Sequence, residues 1–324
     1  MPELPDLVHI VKALGPEIEG RRITRAVVKN PIVLRVLVPG DFAGLAAGRT
    51  IRGLERHGPF LRARLEAPAG AAGAAAGGNS DAPRSGLAAS RDQIQVAAGD
   101  LDLVMHLMLA GRLRLAPAGG AGGAAAKPLP ATAFSLELDD GRTLHYGDEK
   151  SMGKVYLFPA GEFGVIPGYL TQGIDVVSPN FTYEAFSALI SKKRCQARVL
   201  VMDQSSLSAI GNAYADEILF EAGVHPKAYC HALGEEKRRA LYDAVRSVLA
   251  WGIDEVEKAG APLEDKVRGH MRVRGRAGEK CPRCGATIRK AGVLGFDSFF
   301  CPICQPDLAG RGLDWTKLEK DRGT

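Results

Sequence analysis

Four cysteines, paired as Cys281-Pro-Arg-Cys284 and Cys301-Pro-Ile-Cys304 and separated by 16 residues, constrain this chain more than any other stretch. Each Cys-x-x-Cys pair sits on a tight knuckle, and four thiolates at this spacing supply a closed tetrahedral site for one structural Zn2+. All four positions are filled by sulfur, so no position is left for a reacting water and the zinc carries no catalysis. The segment between the pairs is expected to form a β-hairpin. Cys195 and Cys230 fall outside the array and read as ordinary buried or half-buried thiols. Six cysteines in 324 residues do not suggest a disulfide scaffold.

Charge narrows the partner. The formal net charge is only +5, yet between Lys266 and Lys290 nine Lys/Arg face a single acid, Glu279. A basic block, with Arg274 and Arg276 inside it, that runs into a zinc module favours a phosphate backbone as partner. There is no charged-then-apolar leader and no apolar run of the ~18–20 residues that a membrane span needs. A soluble, cytoplasmic, monomeric protein with no membrane partner is expected.

The chain is long enough for two domains with real cores. Leu7, Ile10, Val11 and Leu14 give helical periodicity before Gly20. Short apolar or alternating runs follow at 23–29, 60–65, 101–107, 134–138 and 154–158, so the first ~170 residues read as mainly β. Two Ala/Gly-rich stretches, 67–98 and 116–131, lack the bulk to pack and read as flexible insertions in hairpin loops. After a linker near 173–179, periodicity predicts helices over 181–193, 197–204, 213–222 and 235–259. The expected domains are 1–172, 180–266 and a zinc module at 267–310.

Two further features carry chemistry. Removal of Met1 leaves Pro2 as a secondary amine. An α-amino group has a pKa of about 7.7–8, so part of it is neutral and nucleophilic at pH 7. Such an amine can attack a sugar C1′ to form an iminium, with the Glu3 carboxyl relaying protons. Taken alone, Pro2-Glu3-Leu4-Pro5 reads more simply as the extended start of a strand. The second feature is Gly211-Asn212, which opens a helix that Gly223 ends; a helix N-terminus beside an Asn amide suits a phosphate.

Together these pieces resemble the formamidopyrimidine-DNA glycosylase / endonuclease VIII family of base-excision repair enzymes. Met1-Pro-Glu-Leu-Pro-Asp6 is similar to its N-terminal signature, and His106-Leu-Met-Leu-Ala-Gly-Arg112 to its His-Leu-Gly-Met-Ser-Gly-Arg turn. Gly211 to Glu217 looks like its helix–two-turn–helix motif, and Cys281 to Gln305 like its zinc finger. Arg198 and Asp203-Gln204 fall where the family has a lysine and Asp-Gln/Asn. The resemblance implies an α+β fold: an N-terminal β-sandwich domain, a helical helix–two-turn–helix domain and a C-terminal zinc-finger β-hairpin. It implies a partner, damaged double-stranded DNA, and flipping of the lesion nucleotide out of the stack. Pro2 would attack C1′ and Glu3 would protonate the opening ring. Asn212, Arg198, His106, Arg112, Lys150, Arg274 and Arg276 would hold DNA, and Leu109 or Met152 would fill the void. β- or β,δ-elimination would follow, and the residues do not choose between them.

Three departures stand out. The family's active-site lysine falls on Pro59 in Arg56-His-Gly-Pro-Phe-Leu61, and His57 could replace it only with rearrangement of the strand. In Asp148-Glu-Lys-Ser-Met-Gly153, Met152 replaces a phenylalanine wedge and Ser151 an arginine. In the zinc hairpin Phe296 takes the place of a phosphate-clamping arginine. Each lost charge-assisted contact weakens binding by roughly 1.5–3 kcal/mol. The leading expectation is a glycosylase with lyase activity at abasic sites, and its rival is a damaged-DNA-binding member that turns over poorly. A zinc-ribbon protein bound to RNA or another protein leaves the N-terminal signature unexplained.

Overall fold

A computed structural model describes residues 1–68, 99–118 and 129–307. Most of both Ala/Gly-rich stretches falls outside the described residues. They are inserted between the strands β4 and β5 and between β6 and β7 defined below.

The described chain divides into two compact units, 1–171 with 253–267, and 172–252 with the residues from 268 onward. Residues 253–266, expected within the helical domain, are thus grouped with the first unit, together with residue 267. The zinc segment is grouped with the helices.

The first unit opens with helix α1, Leu4–Ile18, so the extended start anticipated for Pro2-Glu3-Leu4-Pro5 is corrected. Glu3 is the N-cap, and Asp6 Oδ2 accepts its backbone N–H at 2.8 Å, closing a capping box. Pro5 sits in the first turn, where a missing N–H removes no helical bond. Leu4, Leu7, Ile10, Leu14 and Ile18 are buried on one face, against strand β3.

Two sheets form the body. One has the order β1-β7-β8-β6, from β1 (Ile23–Val28), β6 (Gly111–Ala116), β7 (Thr132–Leu138) and β8 (Thr143–Asp148). The other runs β2-β9-β5-β4-β3, from β2 (Leu34–Val36), β3 (Thr50–His57), β4 (Phe60–Glu66), β5 (Leu101–His106) and β9 (Lys154–Pro159). A short helix α2, Phe42–Ala46, lies between β2 and β3 in the chain. The β-rich half was anticipated, but β2, β3, β6 and β8 were not.

One edge of the second sheet matters for the site. Phe60 pairs with His106 and His106 with Lys154, so β4 begins, β5 ends and β9 begins in one row. The β3–β4 turn, loop 107–110 and loop 149–153 therefore leave from the same edge. Both loops cross between the two sheets.

The second unit holds α3 (Tyr183–Ser191), α4 (Ala197–Met202), α5 (Asn212–Glu221) and most of α6 (Glu235–Ala259), followed by the hairpin β10 (Arg289–Val293) and β11 (Phe296–Phe300). Phe220, Val273, Cys281, Ile288 and Cys301 form one buried cluster joining α5 to the zinc module. Among the described residues no helix is long and apolar enough to cross a membrane.

Candidate active site and nucleic-acid interface

Pro2 is buried and Glu3 is only 4 % exposed, both placed by the capped start of α1. A small cavity beside Pro2 is lined by Asp6, Leu107, Arg112, Glu264, Asp265 and Lys266. Arg112 Nη1 donates to the Glu264 carbonyl at 3.1 Å, while its buried Nε has no hydrogen-bond partner among the described residues. Arg114 ion-pairs with the Glu264 carboxylate at 2.7 Å. Lys266 Nζ donates to the Leu109 carbonyl at 3.0 Å, fixing the loop that carries the expected void-filler.

Leu109 and Met152 are 49 % and 42 % exposed, unusual for large apolar side chains. Each follows a non-glycine residue in the left-handed region, Met108 at φ 48° and Ser151 at φ 50°. Such backbone costs roughly 1–2 kcal/mol per L-residue, so the surroundings must impose it. Around Ser151 they do. Buried Asp148 accepts from the N–H groups of Lys150 at 3.0 Å and Gly153 at 2.6 Å, and Asn30 Nδ2 donates to Ser151 Oγ at 3.0 Å. A Cβ at Gly153 would lie 1.9 Å from the Tyr146 hydroxyl oxygen, so only glycine closes this loop. The Lys150 side chain is exposed.

His106 accepts the Met108 N–H on Nδ1 at 3.3 Å, which leaves the ring proton on Nε2. Burial first, then the nearby charges of Lys154 and the N-terminus, push its pKa down to about 4. His106 is therefore a neutral donor at physiological pH. His57 does not stand in for the lysine missing at position 59. Its ring stacks on Tyr169 with centroids 4.2 Å apart, and Nε2 donates to the Tyr169 carbonyl at 2.8 Å. The residue stays in the ladder, paired with Phe60.

In the second unit the sequence-predicted residues sort differently. Arg198 is 1 % exposed, and its placement corrects the expectation that it touches DNA. Its Nε meets Asp216 Oδ1 at 3.2 Å, and its Nη2 donates to Asn212 Oδ1 at 2.7 Å and to the Asp297 carbonyl at 3.1 Å. A guanidinium only donates, so it fixes the Asn212 oxygen inward and turns the amide NH2 outward. Asp216, fully buried, also accepts from Ser298 Oγ at 2.7 Å and from Arg274 Nη1 at 2.8 Å. Arg274 is thus half committed. Arg276 donates to the carbonyls of Met271 and Gly269 and pairs with Glu279, and its side chain remains partly exposed.

Glu217, fully buried, accepts the backbone N–H groups of Arg272, Val273 and Arg274. Gln204 clamps the approach to α5. Its Oε1 accepts from Ala209 N at 2.8 Å and its Nε2 donates to the Ile210 carbonyl at 2.8 Å. Burial raises the Asp203 pKa, but hydrogen bonds from Ser206, Ser205 and Lys193 outweigh it and hold the carboxyl well below the usual range. The bonds of Arg198 alone join residues 14 to 99 positions apart, and periodicity does not reveal them. A local signal is the pair of acids Asp216-Glu217 amid the apolar middle of the helix.

The four thiols fit one zinc ion. The Sγ atoms of Cys281, Cys284, Cys301 and Cys304 lie within 4.8 Å of one another, with Cys281–Cys304 at 3.9 Å and Cys284–Cys301 at 3.4 Å. Tetrahedral bonds of ~2.3 Å put sulfurs about 3.8 Å apart. Backbone N–H groups of Arg283 and Cys304 point at the sulfurs of Cys281 and Cys301, as knuckles require. Buried Gln305 ties the second knuckle to the Val224 carbonyl. At the hairpin tip Leu294 (φ 46°) and Phe296 are 74 % and 53 % exposed, where the family resemblance places a cation.

Comparison with known proteins matches most of the chain. The formamidopyrimidine-DNA glycosylase N-terminal domain matches residues 1–155, the formamidopyrimidine-DNA glycosylase H2TH domain 172–261, and the zinc finger found in FPG and IleRS 278–306. The chain belongs to the formamidopyrimidine-DNA glycosylase family, and its finger is a structural zinc site. The formamidopyrimidine-DNA glycosylase of Moorella thermoacetica is 31 % identical over 299 residues, spanning 90 % of this chain and 94 % of its own. That of Deinococcus radiodurans is 30 % identical, with 94 % and 98 % covered. Among solved structures, the MutM (Fpg) protein from Thermus thermophilus superposes with a TM-score of 0.71 at 28 % identity, covering 94 % of this chain and 98 % of its own.

Proposed function

We propose that this protein is a DNA base-excision repair glycosylase with abasic-site lyase activity, acting on damaged, oxidised bases in duplex DNA. The observation that carries the reading is the placement of Pro2. It is buried at the capped start of α1 beside buried Glu3, next to a cavity that Arg112 and Lys266 enter.

With Met1 removed, the Pro2 nitrogen attacks C1′ of an extruded deoxyribose. The C1′–N bond to the base breaks, and the base leaves with a proton. As the ring opens to the iminium, Glu3 protonates the departing ring oxygen. The iminium acidifies C2′; loss of that proton expels the 3′ phosphate by β-elimination. Leu109 and Met152, projecting from stiff turns, fill the gap left in the stack. Asn212 presents its amide NH2 to a phosphate, and Lys150 and His106 add donors at the sheet edge.

The relatives named above are called glycosylases, and a Lactococcus lactis variant, 25 % identical with a TM-score of 0.71, was solved with a DNA containing Fapy-dG. They support the class of reaction.

Borohydride trapping on an abasic-site duplex tests the reading. A covalent adduct with the wild-type protein that Pro2→Gly abolishes supports it; no adduct despite tight binding rejects it. The exposed apolar hairpin tip favours a second reading, a damaged-DNA-binding member with little turnover. There Leu294 and Phe296 stack on bases of distorted DNA in place of a phosphate clamp.

A further inference from the structure

Lys154 opens β9 directly opposite His106, which is itself directly opposite Phe60. Residues so paired project from the same sheet face, so Lys154 and His106 are side by side on the edge from which loops 107–110 and 149–153 depart. The Lys154 side chain is exposed, and it makes no hydrogen bond or ion pair among the described residues.

The neighbouring cations differ. Arg112 is held by the Glu264 carbonyl, Arg114 by the Glu264 carboxylate and Lys266 by the Leu109 carbonyl. Carboxylates at the same edge are turned to other donors, Asp6 to the Glu3 N–H and Asp148 to the Lys150 and Gly153 N–H groups. Glu149 is exposed in the adjoining loop. His106 keeps its proton on Nε2 because Nδ1 accepts from Met108. The row thus offers an ammonium beside an imidazole N–H, both donors, and the ammonium has no counter-charge among the described residues.

We infer that Lys154 and His106 form a two-donor seat for a backbone phosphate of the bound DNA, at the edge where Pro59 contributes no charge. Gly58 has φ 52° and Pro59 is fixed near −65°, so the two-residue β3–β4 turn is of the II′ kind. That turn carries no cation toward the edge. Lys154 places one two strands away, beside the same histidine.

This inference rests on the proposed function, and its test separates the two. Binding of a duplex with a tetrahydrofuran abasic analogue is followed by fluorescence anisotropy across a salt series for wild type, Lys154→Met and Lys154→Arg. Loss of one phosphate contact lowers the slope of log K against log[salt] by about 0.9. Lys154→Met should show that drop with roughly tenfold weaker binding at low salt. Lys154→Arg should restore the slope and most of the affinity. Circular dichroism should be unchanged in both, since the side chain is exposed. If wild type binds and Lys154→Met keeps both slope and affinity, the phosphate seat is wrong. If wild type binds no duplex, the function proposed above fails with it. If Lys154→Met behaves as expected while Pro2→Gly still gives the borohydride adduct, the seat stands and the Pro2 mechanism falls.

Discussion

Leu109 and Asn212 are presented by regions built in contrasting ways. Leu109, like Met152, follows a left-handed residue in a short crossing loop, and buried Asp148 ties the second loop to its own backbone. Asn212 sits over a charged network in which Arg198, Arg274, Asp216 and the hairpin carbonyl of Asp297 hold one another. The first device rests on short-range backbone bonds supplemented by single contacts from Lys266 and Asn30. The second spans the unit and depends on the zinc hairpin.

That contrast is open to attack, most severely through the metal. Structural zinc in small modules is worth about 10–16 kcal/mol of apparent binding energy. Chelation, or Cys301→Ala, should therefore unravel β10–β11 and lower duplex affinity by roughly 100-fold or more. Far-ultraviolet dichroism should retain the β-sheet contribution of the first unit; its collapse would show that the loops are not independent. Next, Asp216→Ala leaves the buried Arg198 guanidinium without its carboxylate and should cost about 3–5 kcal/mol in urea unfolding. Adding Arg198→Met should recover part of that loss. No recovery would mean that the pair does not act as a unit.

The first unit should respond to pH. Free imidazole titrates near 6.5 and His106 near 4, so between those values the unfolded chain binds more protons. Stability contributed by His106 is complete above about pH 6.5 and falls as pH drops toward 4. Solvent at the half-buried ring reduces the effect to about 1–2 kcal/mol. Denaturant midpoints at pH 4.5, 5.5 and 7 for wild type and His106→Gln check it; identical profiles would refute it. Smallest of all, Met108→Gly relieves the left-handed strain but widens the unfolded ensemble, for a net gain of about 0.5 kcal/mol. Its affinity for an abasic duplex should drop severalfold, so stability and binding move in opposite directions.

Much of the framework was legible. The periodic segments at 23–29, 60–65, 101–107, 134–138 and 154–158 are strands, and 235–259 is a helix over those same residues. β3 escaped because Gly53, at a register shift between Arg52 and Leu54, breaks the alternation. At the start of α1 the two prolines suggest extended chain, whereas Glu3-x-x-Asp6 spells a reciprocal helix cap. Within the site, cysteine spacing fixed the ligands because thiolate chemistry is local. The role of Arg198 could not be read, because its partners Asp216, Asn212 and the Asp297 carbonyl are brought near only by folding.

Glu217 grips the 272–274 stretch by three consecutive main-chain amides. Main-chain amides exist whatever side chains they bear, proline aside. Substitution at Arg272 or Arg274 therefore removes their side-chain ties to Glu221 and Asp216 but leaves these three main-chain bonds in place.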